Sequence, residues 1–210
     1  MQQKIKNIIF DLGGIFLQVN YQKTEDAFVQ LGVTNFSEFY KQDYVSQLFN
    51  DIEIGAITPQ DFYSGIREIA KINLTNQQIE NAWNAMLGEF WLDRLNWLNE
   101  IKGKYNIYLF SNTNEIHYNK LIEIYNQLNL PNSFSSYFIK DYYSQILGLR
   151  KPTPQSFNAI LKEQNLQANE TLFIDDTVKN IDGAKAVGLQ TLLLLNDMDL
   201  IEEVEKILMR

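Results

Sequence analysis

Asp11, Ser111, Lys151 and the Asp175–Asp176 pair are the residues whose types and settings could do chemistry. Each stands at or near the end of an apolar run. Asp11 follows Ile8-Ile9-Phe10 and precedes Gly13-Gly14. A carboxylate there, at the end of a buried strand, sits where open α/β sheets bind ligands, and the glycines let backbone approach one closely. The same residues could make an ordinary Asp-Gly turn. Ser111-Asn112-Thr113-Asn114 follows Phe110. Small hydroxyl and amide groups at a strand-to-helix junction can hold a phosphate with side chains and backbone N–H groups, or simply cap the helix. Lys151 stands in Leu149-Arg150-Lys151-Pro152, where the proline pushes it into an extended conformation. Its ammonium suits neutralising a phosphoryl group or buffering clustered carboxylates, and equally a solvated place at a helix entrance. Asp175 and Asp176 close the run Thr171-Leu172-Phe173-Ile174 and repel each other unless a cation joins them. Hard oxygen donors with room for water suit Mg²⁺; a capping Asp176 beside a solvated Asp175 is the plain alternative. A carboxylate nucleophile, a phosphate cradle, a cation and a metal site together describe phosphoryl transfer.

Composition narrows the field further. The 210 residues carry a formal net charge of −8, which argues against nucleic acid and anionic membranes as partners. Hydrophobic residues make up 45% of the chain, ample for a core. Without cysteine there is no disulfide, thiol nucleophile or thiolate zinc site. One histidine, His117, cannot build a histidine cage or triad within one chain, and a surface place in a helix is expected for it. No stretch approaches the length of a membrane span and the N-terminus lacks a signal-peptide core, so a cytoplasmic setting is expected.

These residues must be placed by alternating strands and helices. The unalternated apolar run at 8–10 reads as a strand buried on both faces, with further strands at 105–110 and 170–174, a shorter one at 137–139 and a fifth at 190–195. Helices are expected over 92–102, 114–128, 153–164, 178–187 and 197–209. Between the first strand and this alternation, the chain from about residue 21 to residue 87 reads as all helix. Helices are expected over 24–31, 37–49, from Pro59 with Thr58 as cap, and over 75–86. The fold class expected is α/β, a three-layer core of residues 1–16 and 89–210 around a parallel five-stranded sheet, with a small all-helical insertion at 17–88. Trp83, Phe90, Trp91 and Trp97 are expected to pack in the core or between cap and core.

The four clusters, in this order, resemble the four motifs of the haloacid dehalogenase (HAD) superfamily over essentially the whole chain. Phe10-Asp11-Leu12-Gly13-Gly14 is similar to motif I, Phe110-Ser111-Asn112-Thr113 to motif II, Arg150-Lys151-Pro152 to motif III and Ile174 through Asn180 to motif IV. The insertion resembles the C1-type cap. The resemblance implies a strand order 3-2-1-4-5 and Asp11 as nucleophile, forming an aspartyl-phosphate. It implies Ser111 and Asn112 as holders of the phosphoryl oxygens, and Lys151 as the charge that neutralises them. It implies Mg²⁺ on Asp11, the Gly13 carbonyl and Asp175, with Asp176 and Asn180 supporting or completing the metal's surroundings.

Gly13 departs from the superfamily's usual phosphatase pattern, in which an Asp two positions after the nucleophile acts as acid and base. A positioned acid/base contributes about 10²–10⁴-fold. The Gly-Gly form resembles a subfamily with α-glucose-1-phosphatase-like enzymes and, more distantly, the N-terminal domain of soluble epoxide hydrolase. A small phosphorylated metabolite, a sugar phosphate by that likeness, is the expected substrate. A metal-independent 2-haloacid dehalogenase is an alternative, though it leaves Asp175, Asp176 and Asn180 without a task. A non-catalytic relative that binds a phosphorylated ligand is another. A response-regulator receiver domain is too short and lacks the insertion. The sequence does not fix an oligomeric state.

Overall fold

Ile8, Ile9 and Phe10 are wholly buried because the strand they form has neighbours on both edges and helices over both faces. The structure, a computed structural model, describes residues 4–41 and 44–209. In chain order the strand β1 (Asn7–Phe10) is followed by β2 (Leu17–Val19), α1 (Tyr21–Gln30), β3 (Tyr40–Lys41), β4 (Tyr44–Val45), α2 (Gln47–Glu53), α3 (Pro59–Ala70) and α4 (Asn76–Asn84). Then come β5 (Leu87–Phe90), α5 (Leu92–Ile101), β6 (Asn106–Ser111), α6 (Glu115–Gln127), β7 (Lys140–Tyr143) and α7 (Ser144–Leu147). The chain closes with α8 (Pro154–Glu163), β8 (Thr171–Asp175), α9 (Val178–Ala186), β9 (Gln190–Leu193) and α10 (Leu200–Leu208).

The main sheet runs β7-β6-β1-β8-β9, all parallel, which is the expected 3-2-1-4-5 order. Ile8 stands level with Ile107 on one side and Leu172 on the other. Because side chains alternate along a strand, Ile8 and Phe10 join one core cluster while Ile9 joins another. The first holds Leu98, Leu121, Tyr125 and Val204 from α5, α6 and α10; the second holds Phe157, Ile160, Ile181 and Ala184 from α8 and α9. The result is three layers. Phe10 is fully buried against Phe16 and Trp97, so truncating it to alanine should cost about 3–5 kcal/mol.

The segment between β2 and β5 has an aromatic core of its own, in which Phe28, Phe36, Phe49, Phe62 and Trp83 meet, and Ile116 of α6 joins that cluster. Its helices begin where expected. Thr58 and Thr75 each accept from the backbone three residues on while Asp61 and Gln78 reach back, closing two capping boxes, with Pro59 in the first turn of α3. The segment is not all helix, however. β2 and β5 pair antiparallel as the stalk through which the chain enters and leaves, and β3 pairs with β4. The helix expected over 37–49 is absent: a 3₁₀ turn at Phe36–Glu38 leads into that short ribbon and α2 starts only at Gln47. Residues 42 and 43 of that expectation lie outside the described residues. The expected strand at 137–139 is also displaced, to Lys140–Tyr143, because Phe134–Tyr137 winds into a 3₁₀ turn that buries Phe134 and Tyr137. Among the described residues no helix is long and apolar enough to cross a membrane.

Candidate active site

β1, β6 and β8 end side by side, and their last residues with the loops beyond carry the polar clusters. Asp11 leaves β1 with its amide donating to Ile174 O at 2.9 Å, which ties it to the neighbouring strand. Lys151 arrives from the loop before α8 and is 1% exposed. Its Nζ lies 2.7 Å from Asp11 Oδ1 and 2.7 Å from Asp175 Oδ2, between the rings of Phe110 and Phe173. Burial alone would lower the ammonium's pKa, but the two carboxylates outweigh it and hold the group above its ordinary value. The lysine is not a solvated residue at a helix entrance.

Asp175 is fully buried and its oxygens are occupied. Thr177 N donates to Oδ1 at 2.8 Å, Asn180 Nδ2 lies 3.0 Å from both oxygens, and Lys151 takes Oδ2. Asp176 is less committed, accepting from Thr177 Oγ1 at 3.1 Å. Its Oδ2 lies against Gly14, in the space where a β-carbon would stand, and Gly14 itself has φ +71°. Carboxylate oxygens of Asp11, Asp175 and Asp176 come within 4.8 Å of one another. Asp11 is raised from an ordinary 3.8 to about 7: burial pushes it up, Lys151 pulls the other way, and Asp175 and Asp176 add to the rise. Burial and Asp175 likewise raise Asp176. Three close carboxylates against one ammonium leave an excess of negative charge beside Ser111, which suits a divalent cation with oxygen ligands.

Ser111 ends β6, buried beside that cluster. The carboxamide of Asn112 turns elsewhere: Nδ2 donates to Lys151 O at 3.0 Å and Lys151 N donates to Asn112 Oδ1 at 2.9 Å. Asn112 therefore fixes the main chain that delivers Lys151. Ser144, at the start of α7, holds the same loop by accepting from Thr113 N and donating to Thr113 O, both at 2.9 Å. Gly13 lines the site, and a β-carbon there would meet Val19 Cγ2 at 3.1 Å.

A cavity of about 540 Å³ opens over this floor. Its far wall comes from the inserted segment through Tyr21, Tyr40, Asn50, Glu53 and Met86. Glu53 of α2, buried, pairs with Arg150 at 3.0 Å, and Arg150 directly precedes Lys151. Sequence reading gave no task to Glu53, Arg150, Tyr21 or Tyr40; only the adjacency of Arg150 to Lys151 hinted at one. His117 is not at the surface. It is buried in the cavity wall, stacked on Trp83 at 4.6 Å, with Nδ1 donating to Asn84 Oδ1 at 2.9 Å. Burial lowers its pKa to about 3, so the imidazole is neutral at ordinary pH and is no general acid there.

Comparison with known proteins agrees with this geometry. The chain is 29% identical to a D-ribitol-5-phosphate phosphatase from Bacteroides thetaiotaomicron, an alignment covering 97% of this chain and 98% of that one. It is 27% identical to a sesquiterpene phosphatase from Aspergillus oryzae, over 92% and 91% of the two chains. A crystal structure of a HAD family enzyme from Bacteroides thetaiotaomicron superposes with a TM-score of 0.89 at 30% identity, over 95% of this chain and 98% of that one. That crystal holds an alanine variant of one aspartate together with magnesium and inorganic phosphate. A family model described as haloacid dehalogenase-like hydrolase matches residues 5–188, and the chain belongs to that family.

Proposed function

We propose that this chain is a Mg²⁺-dependent phosphatase of a small phosphate monoester, a sugar or polyol phosphate, working through an aspartyl-phosphate. The observation that carries the proposal is the buried ammonium of Lys151 held 2.7 Å from both Asp11 and Asp175, with Asp176 completing a carboxylate cluster beside it. The phosphatase names and the magnesium-and-phosphate crystal of the relatives support it.

Asp11 attacks phosphorus, the bond from phosphorus to the leaving oxygen breaks, and the leaving alkoxide takes a proton from solvent or a substrate hydroxyl. Water then attacks the aspartyl-phosphate and releases Asp11 and inorganic phosphate. Ser111 and the backbone N–H groups after it hold the phosphoryl oxygens, and Lys151 neutralises them. Asn112 contributes by positioning Lys151. Mg²⁺, when bound, offsets the repulsion between nucleophile and phosphate. The groups that would hold it are Asp11, the Gly13 carbonyl and Asp176, because the oxygens of Asp175 are already committed to Lys151, Thr177 and Asn180. This exchanges the parts that family resemblance gives Asp175 and Asp176. Residues 17–88 act as the cap, over a cytoplasmic enzyme's site.

A metal-independent dehalogenase would leave the clustered carboxylates unexplained, and the Asp11–Lys151 contact supports catalysis rather than binding alone. Phosphate release from a panel of sugar and polyol phosphates, with and without Mg²⁺, tests the reading. Activity should require the metal and vanish in Asp11→Asn with the fold retained. Comparable turnover in that variant, free of deamidation and contaminants, refutes the mechanism.

A further inference from the structure

We infer that the cavity wall built by Glu53 and Arg150 is a subsite for hydroxyl groups of the leaving group, so that the substrate is the phosphate ester of an uncharged, polyhydroxylated chain. The inference rests on the phosphatase reading above and names its substrate class.

Glu53 and Arg150 come from different parts of the chain, α2 of the insertion and the loop before Lys151, and both line the cavity that contains Asp11. Their ion pair at 3.0 Å leaves much of their capacity unused. Arg150 Nε is buried with no hydrogen-bond partner, and Glu53 accepts nothing from the described residues beyond the Arg150 contact. His117, in the same cavity wall, has its Nε2 buried and unpartnered while Nδ1 is taken by Asn84. Buried donors and acceptors without partners are rare and costly. Here one such acceptor, His117 Nε2, and one such donor, Arg150 Nε, belong to residues that line one cavity with Glu53, whose buried oxygen has only the Arg150 contact.

The chemistry of those groups selects an occupant. A hydroxyl both donates and accepts, so a chain of hydroxyls can satisfy Glu53, Arg150 and His117 together. Glu53 already balances Arg150, so a carboxylate or second phosphate on the leaving group would find no uncompensated charge in this pair, and a purely apolar tail would leave all three unmet. Tyr21 and Tyr40, with ring centroids 6.2 Å apart on the same side, offer faces for the C–H groups of such a chain. The cavity of about 540 Å³ has room for a chain of a few carbons.

A matched pair of esters tests this: a pentitol 5-phosphate and n-pentyl phosphate, with p-nitrophenyl phosphate as a third substrate, assayed on the full chain in Mg²⁺. The wild type should prefer the pentitol ester in kcat/KM, and Glu53→Ala should shrink that preference about 10- to 100-fold, mainly through KM, as expected for losing a charged hydrogen bond. Glu53→Gln, which keeps size and one acceptor, should shrink it less, and it serves if the alanine variant does not fold. If Glu53 is only a strut between cap and core, both esters lose alike and the preference stays put, which overturns the inference. A wild type that hydrolyses all three without preference overturns it too. A wild type inactive on all three refutes the phosphatase reading instead.

Discussion

Asp176 occupies the space that a side chain at Gly14 would need: its Oδ2 stands where a β-carbon would be built. A glycine is required there twice over, since φ of +71° already disfavours any side chain by about 1–2 kcal/mol. Gly14→Ala should therefore displace Asp176. Activity should demand about 10- to 100-fold more Mg²⁺, the usual cost of disturbing groups that orient a metal ligand. A Mg²⁺ titration of activity reads this, and an unchanged midpoint would remove Asp176 from the metal site.

The two adjacent carboxylates should fail differently. Asp176→Asn should raise the Mg²⁺ requirement with little change in stability. Asp175→Asn takes one of two anions from the buried Lys151, and breaking such a pair costs about 3–5 kcal/mol. Its signature should be a lowered Tm and a lowered kcat at saturating metal. Thermal unfolding and metal titration of both variants separate the parts.

Burial of Asp11, with Asp175 and Asp176 beside it, predicts a pH dependence of the metal-free protein. The carboxyl is raised from an ordinary 3.8 to about 7 in the folded state. Between those values the folded chain holds a proton that the unfolded chain has released, so this group's contribution to stability falls as pH rises through the interval. His117 works oppositely and lower, because the unfolded chain gains a proton below about 6.5 that the folded chain refuses until about 3. With a chelator present, the Tm of wild type should fall between pH 5 and 8 relative to that of Asp11→Asn. Saturating Mg²⁺ should close the gap at pH 8. Parallel curves would contradict a carboxyl raised by burial.

Most of the sheet was legible because its residues are governed by local pattern. Ile8 to Phe10, Ile107 to Phe110 and Leu172 to Ile174 are buried on both faces, and a strand so placed has no choice but to be apolar throughout. The edge strand Lys140–Tyr143 has one partner and mixed polarity, so its neighbour Phe138 gave the stronger signal in the wrong place. The ribbon of β2 and β5 is three to four residues a side, too short for a period to show. The carboxamide of Asn112 and the place of His117 are hidden from the sequence for another reason. A side chain on the phosphate and a surface imidazole are the local expectations, but the partners of those side chains, the Lys151 backbone and the Trp83–Asn84 step, lie tens of residues away. Contacts at that separation leave no mark on local sequence.

Gly13 bears on the second half of the reaction. It has no side chain to activate the water that must cleave the aspartyl-phosphate, a loss corresponding to about 2.7–5.5 kcal/mol on a barrier. Breakdown of the intermediate should then limit turnover. Rapid-quench experiments with an activated aryl phosphate should show a burst approaching one equivalent of leaving group per site, with label on Asp11. A linear time course points to formation as the slow step or to another base. Gly13→Asp should speed decay of the trapped intermediate, and combining it with Val19→Ala removes the 3.1 Å contact that the new side chain would meet.

The stalk of β2 and β5 brings the two ends of the inserted segment together, Leu17 opposite Phe90 and the amide of Asn20 bonded to Met86 O at 2.9 Å. Among the described residues, every strand of the main sheet pairs only within that sheet. The segment should therefore be exchangeable between related hydrolases as a cassette with adjoining cut points, leaving the registers of the sheet as they are. A replacement must bring an apolar patch to cover Ile116, a ring and a hydrogen-bond acceptor for His117, and an anion for Arg150. A graft meeting those demands should inherit the hydrolytic machinery and present it with a different clientele.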